Sequence, residues 1–489
     1  MGRAIVIGSG IGGLATAIRL ARRGVEVEVF EASGKAGGKI AERSFGGYRF
    51  DAGPSLLTLP EQVLELLDDD LRFPIKKLEL ITKYFYPDGT QLLAYSHVGQ
   101  FAAEVEKKLN VPAAKVTGYF QKASRIYELT ADLFIFGSFH RLKNLANIKS
   151  LKTLMNFRSL QAFSSLHEFN TRQLGEKRLV QLFDRYATYN GSNPYQTPAT
   201  LSVISHLEHN LGAFIPENGM FQVIDSLLRQ ALRLGAKFYF GQPVRKVETD
   251  REKVLGVWTD KGFVAADIVV SDVDIHRFYS SLLPDSRWLS KITKEEPSSS
   301  ALIFYWGMKG DFPELDVHNI FFSASYEEEF DCLFRKKELF DDPTIYIYVS
   351  SKYQRTDAPE SCENWFVMIN APADAGQNWE ELTERLRRKI QEKLERMLGR
   401  KLTENIACEE VLSPPGIFKQ TGSVNGSIYG NSSNSRYASF NRHANFRSDI
   451  RGLYFVGGSV HPGGGIPLCL SSACIVDGLV EEQLIKDKR

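Results

Sequence analysis

The stretch VIGSGIGGL, residues 6–14, decides how the first part of the chain folds. It closes a short apolar run and leads into LATAIRLARRG, residues 14–24, whose apolar positions recur with helical spacing. A second apolar run, VEVEVFE, follows and ends at Glu31. A strand, a glycine-rich turn, a helix and a second strand ending in an acid form the first βαβ unit of a dinucleotide-binding fold.

The glycines of this turn each have a mechanical role in such a fold. Gly8 permits the tight turn, Gly10 lets the backbone approach a pyrophosphate, and Gly13 lets the helix pack closely on the strand. Ile11 and Gly12 begin the helix, whose free N–H groups and positive dipole end attract phosphate. We therefore expect these five residues to contact the diphosphate of a dinucleotide.

The acid at the end of the second strand indicates the kind of dinucleotide. Glu31 lies where a carboxylate can hydrogen-bond the diol of a ribose, with Ala32 beside it in the same loop. A carboxylate at this position would repel a 2′-phosphate because both groups are negative. The sequence therefore disfavours an NADP-type ligand.

A second glycine turn soon after Glu31 favours FAD over NAD. The tripeptide GGK, residues 37–39, is followed by a short strand, YRFDAG, and then by a helix that we expect Ser55 to cap. A plain NAD-binding unit usually continues with another helix and strand. The pattern resembles the glutathione-reductase-type flavoproteins, especially their amine-oxidase-like branch, in which such a turn lies against the FAD diphosphate.

This resemblance implies further contacts with FAD. Around the second turn they come from Gly38, Lys39, Gly53, Pro54 and Ser55. Lysine stands here where the family usually has arginine, so Lys39 would act as a point charge near phosphate and not as a planar fork. In the same flavoproteins the backbone at the position of Val244 pairs with adenine, and the turn near Asp272 closes that side of the site.

A third glycine-rich stretch, FVGGSVHPGGGIPL, occupies residues 455–468. It follows a predicted strand and leads into a helix expected to begin near Ile466 or Pro467, because proline suits a first helical turn. FAD is too long for one loop to hold, so the resemblance implies that the chain returns here to complete the flavin site. Gly457, Gly458 and the amides of the helix start would then face the flavin ring and stabilise negative charge on it.

Five stretches together resemble the carotenoid desaturases of the bacterial phytoene-desaturase type. They are VIGSGIGGL, DAGPSLLTLP, RYATYNGSNPYQTPATL, HLEHNLGAFIPENGM and LYFVGGSVHPGGGIPLCL. The last looks most like the hydroxycarotenoid 3,4-desaturases, because Gly458, Ser459 and Val460 depart from the commoner phytoene-type form.

The resemblance implies an FAD-dependent oxidoreductase of carotenoid biosynthesis. Such an enzyme forms C=C bonds in a carotenoid, phytoene-like or hydroxylated, by hydride transfer from a carbon next to the polyene to flavin N5. A quinone or oxygen would be the final electron acceptor. The cation left after hydride loss is delocalised, so a modest base or water could remove the neighbouring proton.

The expected fold class is α/β: a glutathione-reductase-like, amine-oxidase-like FAD-binding Rossmann domain with an interleaved α+β substrate domain and a helical, membrane-associating subdomain. The FAD-binding segments are 1–75, 217–298 and 440–489, the substrate-binding segments are 76–96 and 299–439, and the helical subdomain is 97–216. Aromatic residues of the substrate-domain sheet either wall a tunnel or form plain core. They are Phe304, Trp306, Tyr346, Tyr348 and Phe366.

Residues 139–163, FHRLKNLANIKSLKTLMNFRSLQAF, carry leucine and isoleucine at three-residue steps, with basic residues and no acid between them. Such a helix can lie in a membrane interface, or it can pack on its own domain with solvated lysines. We expect a cytoplasmic protein attached peripherally to a membrane. The first strand leaves no room for a signal peptide, and no apolar run approaches twenty residues.

Composition narrows the remaining functions. The net charge is +1, which gives no global field for nucleic acid. The five cysteines form no CxxC pair, and His206, Glu208 and His209 lack a clear third ligand, so no metal site is expected.

His461 is the candidate catalytic residue because it lies in the loop expected at the flavin. It could instead only hydrogen-bond backbone. Two other enzyme functions stay open, a carotenoid isomerase and another amine-oxidase-like flavin oxidoreductase. A non-enzyme alternative is a prenyl-binding carrier of the GDP-dissociation-inhibitor type, although such carriers lose parts of the glycine motif that is intact here.

Overall fold

The computed structural model describes residues 2–141, 164–250, 252–435 and 437–487. Within them the strands, in chain order, are β1 Arg3–Ile7, β2 Glu26–Phe30, β3 Ala41–Phe45, β4 Tyr48–Ala52, β5 Ile75–Lys77, β6 Leu80–Phe85, β7 Gln91–Tyr95, β8 Phe214–Pro216, β9 Lys237–Tyr239, β10 Val244–Thr249, β11 Val254–Thr259, β12 Gly262–Ala265, β13 Ile268–Ser271, β14 Ser300–Lys309, β15 His318–Phe321, β16 Ile345–Tyr348, β17 Cys362–Ala371, β18 Ile406–Leu412 and β19 Leu453–Phe455.

The longer helices of the described residues are α1 Ile11–Arg22, α2 Val98–Leu109, α3 Ala113–Phe134, α4 Leu166–Leu174, α5 Lys177–Asp184, α6 Phe221–Arg233, α7 Trp379–Leu398, α8 Pro414–Thr421 and α9 Ile466–Asp487. Short helical segments occur at Glu61–Leu64, Val203–His206, Ile275–Arg277, Ser286–Ile292, Tyr326–Asp331 and Ala438–Asn441.

A five-stranded parallel sheet in the order β19-β13-β1-β2-β9 forms the dinucleotide-binding part of the molecule. β1 lies in the middle, paired in parallel with β2 on one side and β13 on the other. β19, from the far end of the chain, pairs in parallel with β13. The carboxyl ends of all these strands therefore meet at one edge, where open α/β sheets bind their ligands.

Both faces of this sheet are covered, as the apolar runs of β1 and β13 predict. One face packs against α1, α6 and α9, with Val6, Val29 and Val270 in the shared core. The other face, with Ile5 and Val269, packs against the antiparallel sheet β10-β11-β12 and the segment after β13. This confirms the predicted Rossmann-like α/β architecture.

The second large sheet is mixed and has seven strands in the order β18-β14-β17-β16-β15-β6-β7. Its two faces pack against different parts of the molecule. Phe304, Trp306 and Trp365 point to a fully buried core against α7, which is the plain-core alternative of the sequence analysis. Tyr346 and Tyr348 belong to the opposite face, which packs on the loops of the dinucleotide part and on the helical part.

The helical part consists of α2 to α5 and shares one apolar core with β6 and β15. The amphipathic segment predicted to touch a membrane falls almost wholly on residues 142–163, which lie outside the described residues. In the described ranges no helix combines the length and apolarity needed to cross a bilayer. The proposed domain boundaries remain a prediction, although the strands of the five-stranded parallel sheet all come from the three segments assigned to the FAD-binding domain.

Candidate flavin and substrate site

The first glycine turn is built as tightly as its sequence requires. A methyl group on Gly13 would lie 2.2 Å from the carbonyl oxygen of Gly8, so only glycine lets α1 pack this closely on β1. Gly8 itself has φ of +98°, a conformation that other residues rarely adopt. Gly10 is the N-cap of α1 and has no side chain to cap the helix. The first turn of α1 therefore begins at the carboxyl edge of β1, where the carboxylate of Asp272 accepts from the N–H of Gly13.

Glu31 lies directly against this turn. One of its carboxylate oxygens accepts hydrogen bonds from the backbone N–H and the hydroxyl of Ser9, each at 2.8 Å, and the other accepts from the N–H of Ser33. Ser9 was not among the predicted site residues, although its short polar side chain between two glycines was an available signal. Ala32, next in the loop, is exposed.

The adenine side of the predicted site is also brought close. The backbone oxygen of Glu31 accepts a 2.9 Å hydrogen bond from the N–H of Gln242, two residues before Val244. Val244 opens β10 and is buried. Residues that are far apart in sequence therefore meet at the end of β2.

The second glycine turn packs on the first. Gly37 bridges to Gly10, and its N–H donates to the carbonyl oxygen of Ser9 at 2.9 Å. Gly38 has φ of +60°, and a methyl group on it would lie 3.4 Å from the Cα of Gly10. A methyl group on Gly53 would lie 2.1 Å from the carbonyl oxygen of Lys39.

The ammonium of Lys39 donates to the backbone carbonyls of Ser427 and Ile428, while the residue keeps an exposed surface. The second turn thus brings a positive charge next to the first.

Ser55 does not cap a helix, contrary to the sequence prediction. The next helical segment begins at Glu61, after Pro60. The hydroxyl of Ser55 instead bonds the phenolic oxygen of Tyr346 on β16. Pro54 and Ser55 are partly buried in the loop between the two sheets. Ser55 thus bonds a side chain on a distant strand and not a nearby backbone N–H. No local sequence pattern could have indicated this partner.

Asp272 joins the two ends of the chain. It follows β13, and its carboxylate accepts a 3.0 Å hydrogen bond from the N–H of Gly13. A methyl group on Gly457 would lie 2.3 Å from the other carboxylate oxygen. Burial raises the pKa of Asp272 to about 7. The sequence predicted only that this turn closes one side of the site. In the structure Asp272 lies between the two glycine turns.

The amino-terminal and carboxyl-terminal turns are in direct contact. A methyl group on Gly12 would lie 3.1 Å from the backbone nitrogen of Gly457. Gly457 has φ of +94°, and Gly458 packs on Gly464 within the loop. α9 begins at Ile466, as expected, with Pro467 in its first turn. Stretches separated by more than four hundred residues therefore form one crevice.

His461 hydrogen-bonds backbone. Its Nε2 lies 2.7 Å from the carbonyl oxygen of Gly137, so this nitrogen carries the proton that it donates. Its ring packs edge-on against Phe139 and His140. Burial lowers the pKa of His461 to about 4, which keeps the ring neutral at physiological pH. The side chain ties the carboxyl-terminal loop to the helical part.

These residues fit a diphosphate-linked dinucleotide. Glycines at positions 10, 12, 13 and 38 leave no Cβ in the cradle. Helix N–H groups and an ammonium are suited to phosphates, and the carboxylate at residue 31 is suited to a ribose diol. A second glycine loop with its own helix start lies in contact, as a ligand longer than one loop requires.

Comparison with known proteins agrees with this geometry. The chain matches the family of flavin-containing amine oxidoreductases over residues 11–476. It is 45% identical to the 1-hydroxycarotenoid 3,4-desaturase of Flavobacterium sp. (strain P99-3), over 98% of this chain and 99% of that protein. It is 31% identical to the 4,4′-diaponeurosporene oxygenase of Staphylococcus aureus (strain MSSA476), over 99% of both. The chain belongs to the carotenoid desaturase family.

Two solved structures of other proteins share the fold of this carotenoid desaturase family member. Cyclohexylamine oxidase from Brevibacterium oxydans IH-35A has a TM-score of 0.63 at 14% identity, with 99% of both chains covered. Wild-type putrescine oxidase bound to putrescine has a TM-score of 0.63 at 15% identity, with 98% of this chain and 99% of that chain covered. The chain is an oxidoreductase, and its cofactor is FAD.

A buried polar network that was not predicted from the sequence contacts the seven-stranded sheet at Tyr84 of β6. Arg185 donates to the hydroxyl of Tyr84 at 2.7 Å and lies 3.4 Å from a carboxylate oxygen of Glu208. Glu208 also accepts hydrogen bonds from Tyr186 and Tyr189. The available signal was the stretch RYATYN, residues 185–190, in which two tyrosines follow an arginine.

The three residues considered for metal binding have separate partners. His206 contacts the side-chain amide of Asn210, Glu208 binds the tyrosines, and His209 lies between Tyr186 and the carbonyl oxygen of Tyr95.

Proposed function

We propose that this chain is the FAD-dependent desaturase of a hydroxylated carotenoid and forms the 3,4 double bond of a 1-hydroxylated end group. Two observations support the proposal. The relative with 45% identity over nearly the whole of both chains is a 1-hydroxycarotenoid 3,4-desaturase. The two glycine turns lie in contact, and the helix starts and Lys39 beside them are suited to the phosphates of FAD. Of the two, the first carries the choice of substrate.

We propose that FAD lies across the two turns. Ser9 and Glu31 would hold the adenosine ribose, and the backbone at Val244 would face the adenine. The diphosphate would lie on the start of α1 and beside Lys39, with Gly38 and the 53–55 loop on its other side. Gly457, Gly458, Ile466 and Pro467 would face the flavin ring. When bound, FAD supplies a two-electron acceptor for hydride from a carbon next to the polyene.

The protein's own contribution is orientation and exclusion of water. The sheet face with Tyr346 and Tyr348 and the helical part would enclose a hydrocarbon chain. His461 is a weak base at neutral pH, so we assign it a positioning role between Gly137 and the flavin loop. Exchange of His461 for Phe would then leave the pH dependence of kcat between pH 5 and 8 unchanged. A lost limb in that profile would contradict the assignment.

We also propose that the protein works at the membrane surface in the cytoplasm, with a quinone or oxygen as electron acceptor. Carotenoids dissolve in lipid and not in water, so the substrate must be taken from a bilayer. The basic residues of segment 139–163 are suited to anionic headgroups. Turnover under nitrogen with an added quinone, compared with turnover in air, distinguishes the two acceptors.

The test is to incubate the FAD-loaded protein with a 1-hydroxylated carotenoid in liposomes. We expect a product that has lost two hydrogens and absorbs at longer wavelength, because its conjugated system is one double bond longer. A product that gains oxygen would favour the oxygenase activity named for the Staphylococcus aureus relative. A product of unchanged mass and altered geometry would favour an isomerase. Either result contradicts the proposal.

A further inference from the structure

One surface of the seven-stranded sheet carries a row of polar side chains. A binding site for a pure hydrocarbon would not need them. On β15, Ile320 lies opposite both Tyr84 of β6 and Tyr346 of β16, and His318 lies opposite Tyr348 of β16. Opposite residues share a face of the sheet, as do residues two apart in one strand. These three tyrosines and His318 therefore line one surface, which the helical part covers.

Tyr346 connects this surface to the proposed flavin side. Its hydroxyl bonds Ser55, in the loop assigned to FAD, and Nδ1 of His318 at 2.8 Å. Tyr346 packs against two separate cores and yet remains partly exposed. The row thus begins at Ser55, in the loop assigned to FAD.

His318 leaves one ring nitrogen unused. The residue is only 3% exposed, and its Nε2 has no hydrogen-bond partner among the described residues. Burial, together with the smaller effect of the positive charge of Arg185, lowers the pKa of His318 to about 3. The imidazole is therefore neutral. With its proton on Nδ1, donated to Tyr346, Nε2 is a free acceptor.

Arg185, which contacts Tyr84 of this surface, leaves a donor unused. It is 7% exposed, its guanidinium lies over the rings of Tyr84, Tyr186 and Tyr189, and its Nε–H has no partner in the described part of the chain. The other nitrogens are held by Tyr84, Tyr189 and Glu208. Buried donors and acceptors are rarely left unpaired, so the two unused atoms in this network indicate a ligand group.

A hydroxyl both donates and accepts, which matches these two atoms. We propose that Nε2 of His318 and Nε–H of Arg185 bind the hydroxyl on the end group of the carotenoid. This inference rests on the proposed function and names the residues that select the hydroxylated substrate. A hydroxyl on C1 is close along the chain to the C3–C4 bond, so its binding site must adjoin the flavin, as the Tyr346–Ser55 contact allows.

The test compares a 1-hydroxylated carotenoid with the unhydroxylated parent of equal length. Binding to the FAD-loaded protein is followed by quenching of tryptophan fluorescence, and kcat and KM are measured separately. Wild type should bind the hydroxylated compound at least about a hundredfold more tightly, since a site built for a hydroxyl strongly rejects the analogue without it. His318→Phe should remove most of this preference by weakening binding of the hydroxylated compound alone.

Tyr346→Phe, which removes the partner of Nδ1, is the second variant in case His318→Phe does not fold. Tyr86→Phe is the matched control, because Tyr86 is a buried tyrosine of the same core whose hydroxyl donates to the carbonyl oxygen of Arg178. It should keep the full preference. The inference is overturned if wild type shows no preference, or if both variants keep it and the orphan atoms only hold water. If discrimination in binding is found but no double bond forms, the proposed reaction fails and this site stands.

Discussion

Asp272 is the residue on which the two ends of the chain meet. It carries a buried carboxylate that accepts from Gly13 and lies against Gly457. Burial raises its pKa from 3.8 to about 7. The same acid titrates near its ordinary value in the unfolded chain, so the folded state holds its proton over a pH range in which the unfolded state does not.

This difference gives a prediction for Asp272→Asn. A raised folded-state pKa means that the free energy of unfolding of wild type falls as pH rises from about 4 to about 7, and then levels off. Asparagine keeps an acceptor for the N–H of Gly13 but cannot ionise. Between pH 5 and pH 8 the variant should lose about 2 kcal/mol less stability than wild type, measured by urea unfolding. Equal losses in the two proteins would show that Asp272 does not titrate in this range.

Among single residues, those in continuous motifs could be placed from sequence, and those with distant partners could not. Glycine positions follow from the turn that they must make. Ser9 is bonded to Glu31 across the turn, and Ser55 to Tyr346 on another sheet, and neither partner is near in sequence. When several hydrogen-bond partners are within reach of a side chain, the tertiary fold decides which one it bonds.

At the level of elements, strands and helices were predicted well where one periodicity dominates. The two faces of the seven-stranded sheet show the limit. Phe304 and Trp306 lie in a sealed core and Tyr346 stays partly exposed, yet all three are aromatic residues on apolar strands. Alternation separates the faces of one strand, but only the packing of α7 decides which face is sealed.

The amphipathic segment carries its own prediction. Lys149→Glu combined with Lys152→Glu reverses two charges in segment 139–163 and should release the protein from anionic vesicles, because each basic residue near the surface contributes about 1 kcal/mol to binding. The measurement is cosedimentation with vesicles containing phosphatidylserine.

The matched control reverses Lys107 and Lys108, two exposed lysines at the end of α2. It should leave vesicle binding unchanged. If both double variants detach equally, net charge is responsible. If neither detaches, the membrane contact lies elsewhere.

At the scale of the whole molecule, the contact between Gly12 and Gly457 was foreseeable because two glycine turns imply one long ligand. The Arg185–Glu208 network was not, since it needs the helical part to close over β6 and β15. A binding site formed by one loop can be inferred from the spacing of that loop's residues. Chemistry assembled from separate domains needs the fold.

The most direct measurement of the central claim is the FAD content per chain of two glycine variants from opposite ends of the sequence. Gly13→Ala brings a methyl group to 2.2 Å from the oxygen of Gly8, and Gly457→Ala brings one to 2.3 Å from Asp272. Overpacking of this kind costs about 1–3 kcal/mol or more, and here it falls on the cradle itself. Gly34→Ala and Gly478→Ala are the controls, because a methyl group at either position meets nothing within 4 Å.

We predict that both cradle variants lose FAD while their far-ultraviolet circular dichroism is retained, and that both controls keep one FAD per chain. Full FAD content in either Gly13→Ala or Gly457→Ala would contradict the claim that the two ends of the chain hold one cofactor.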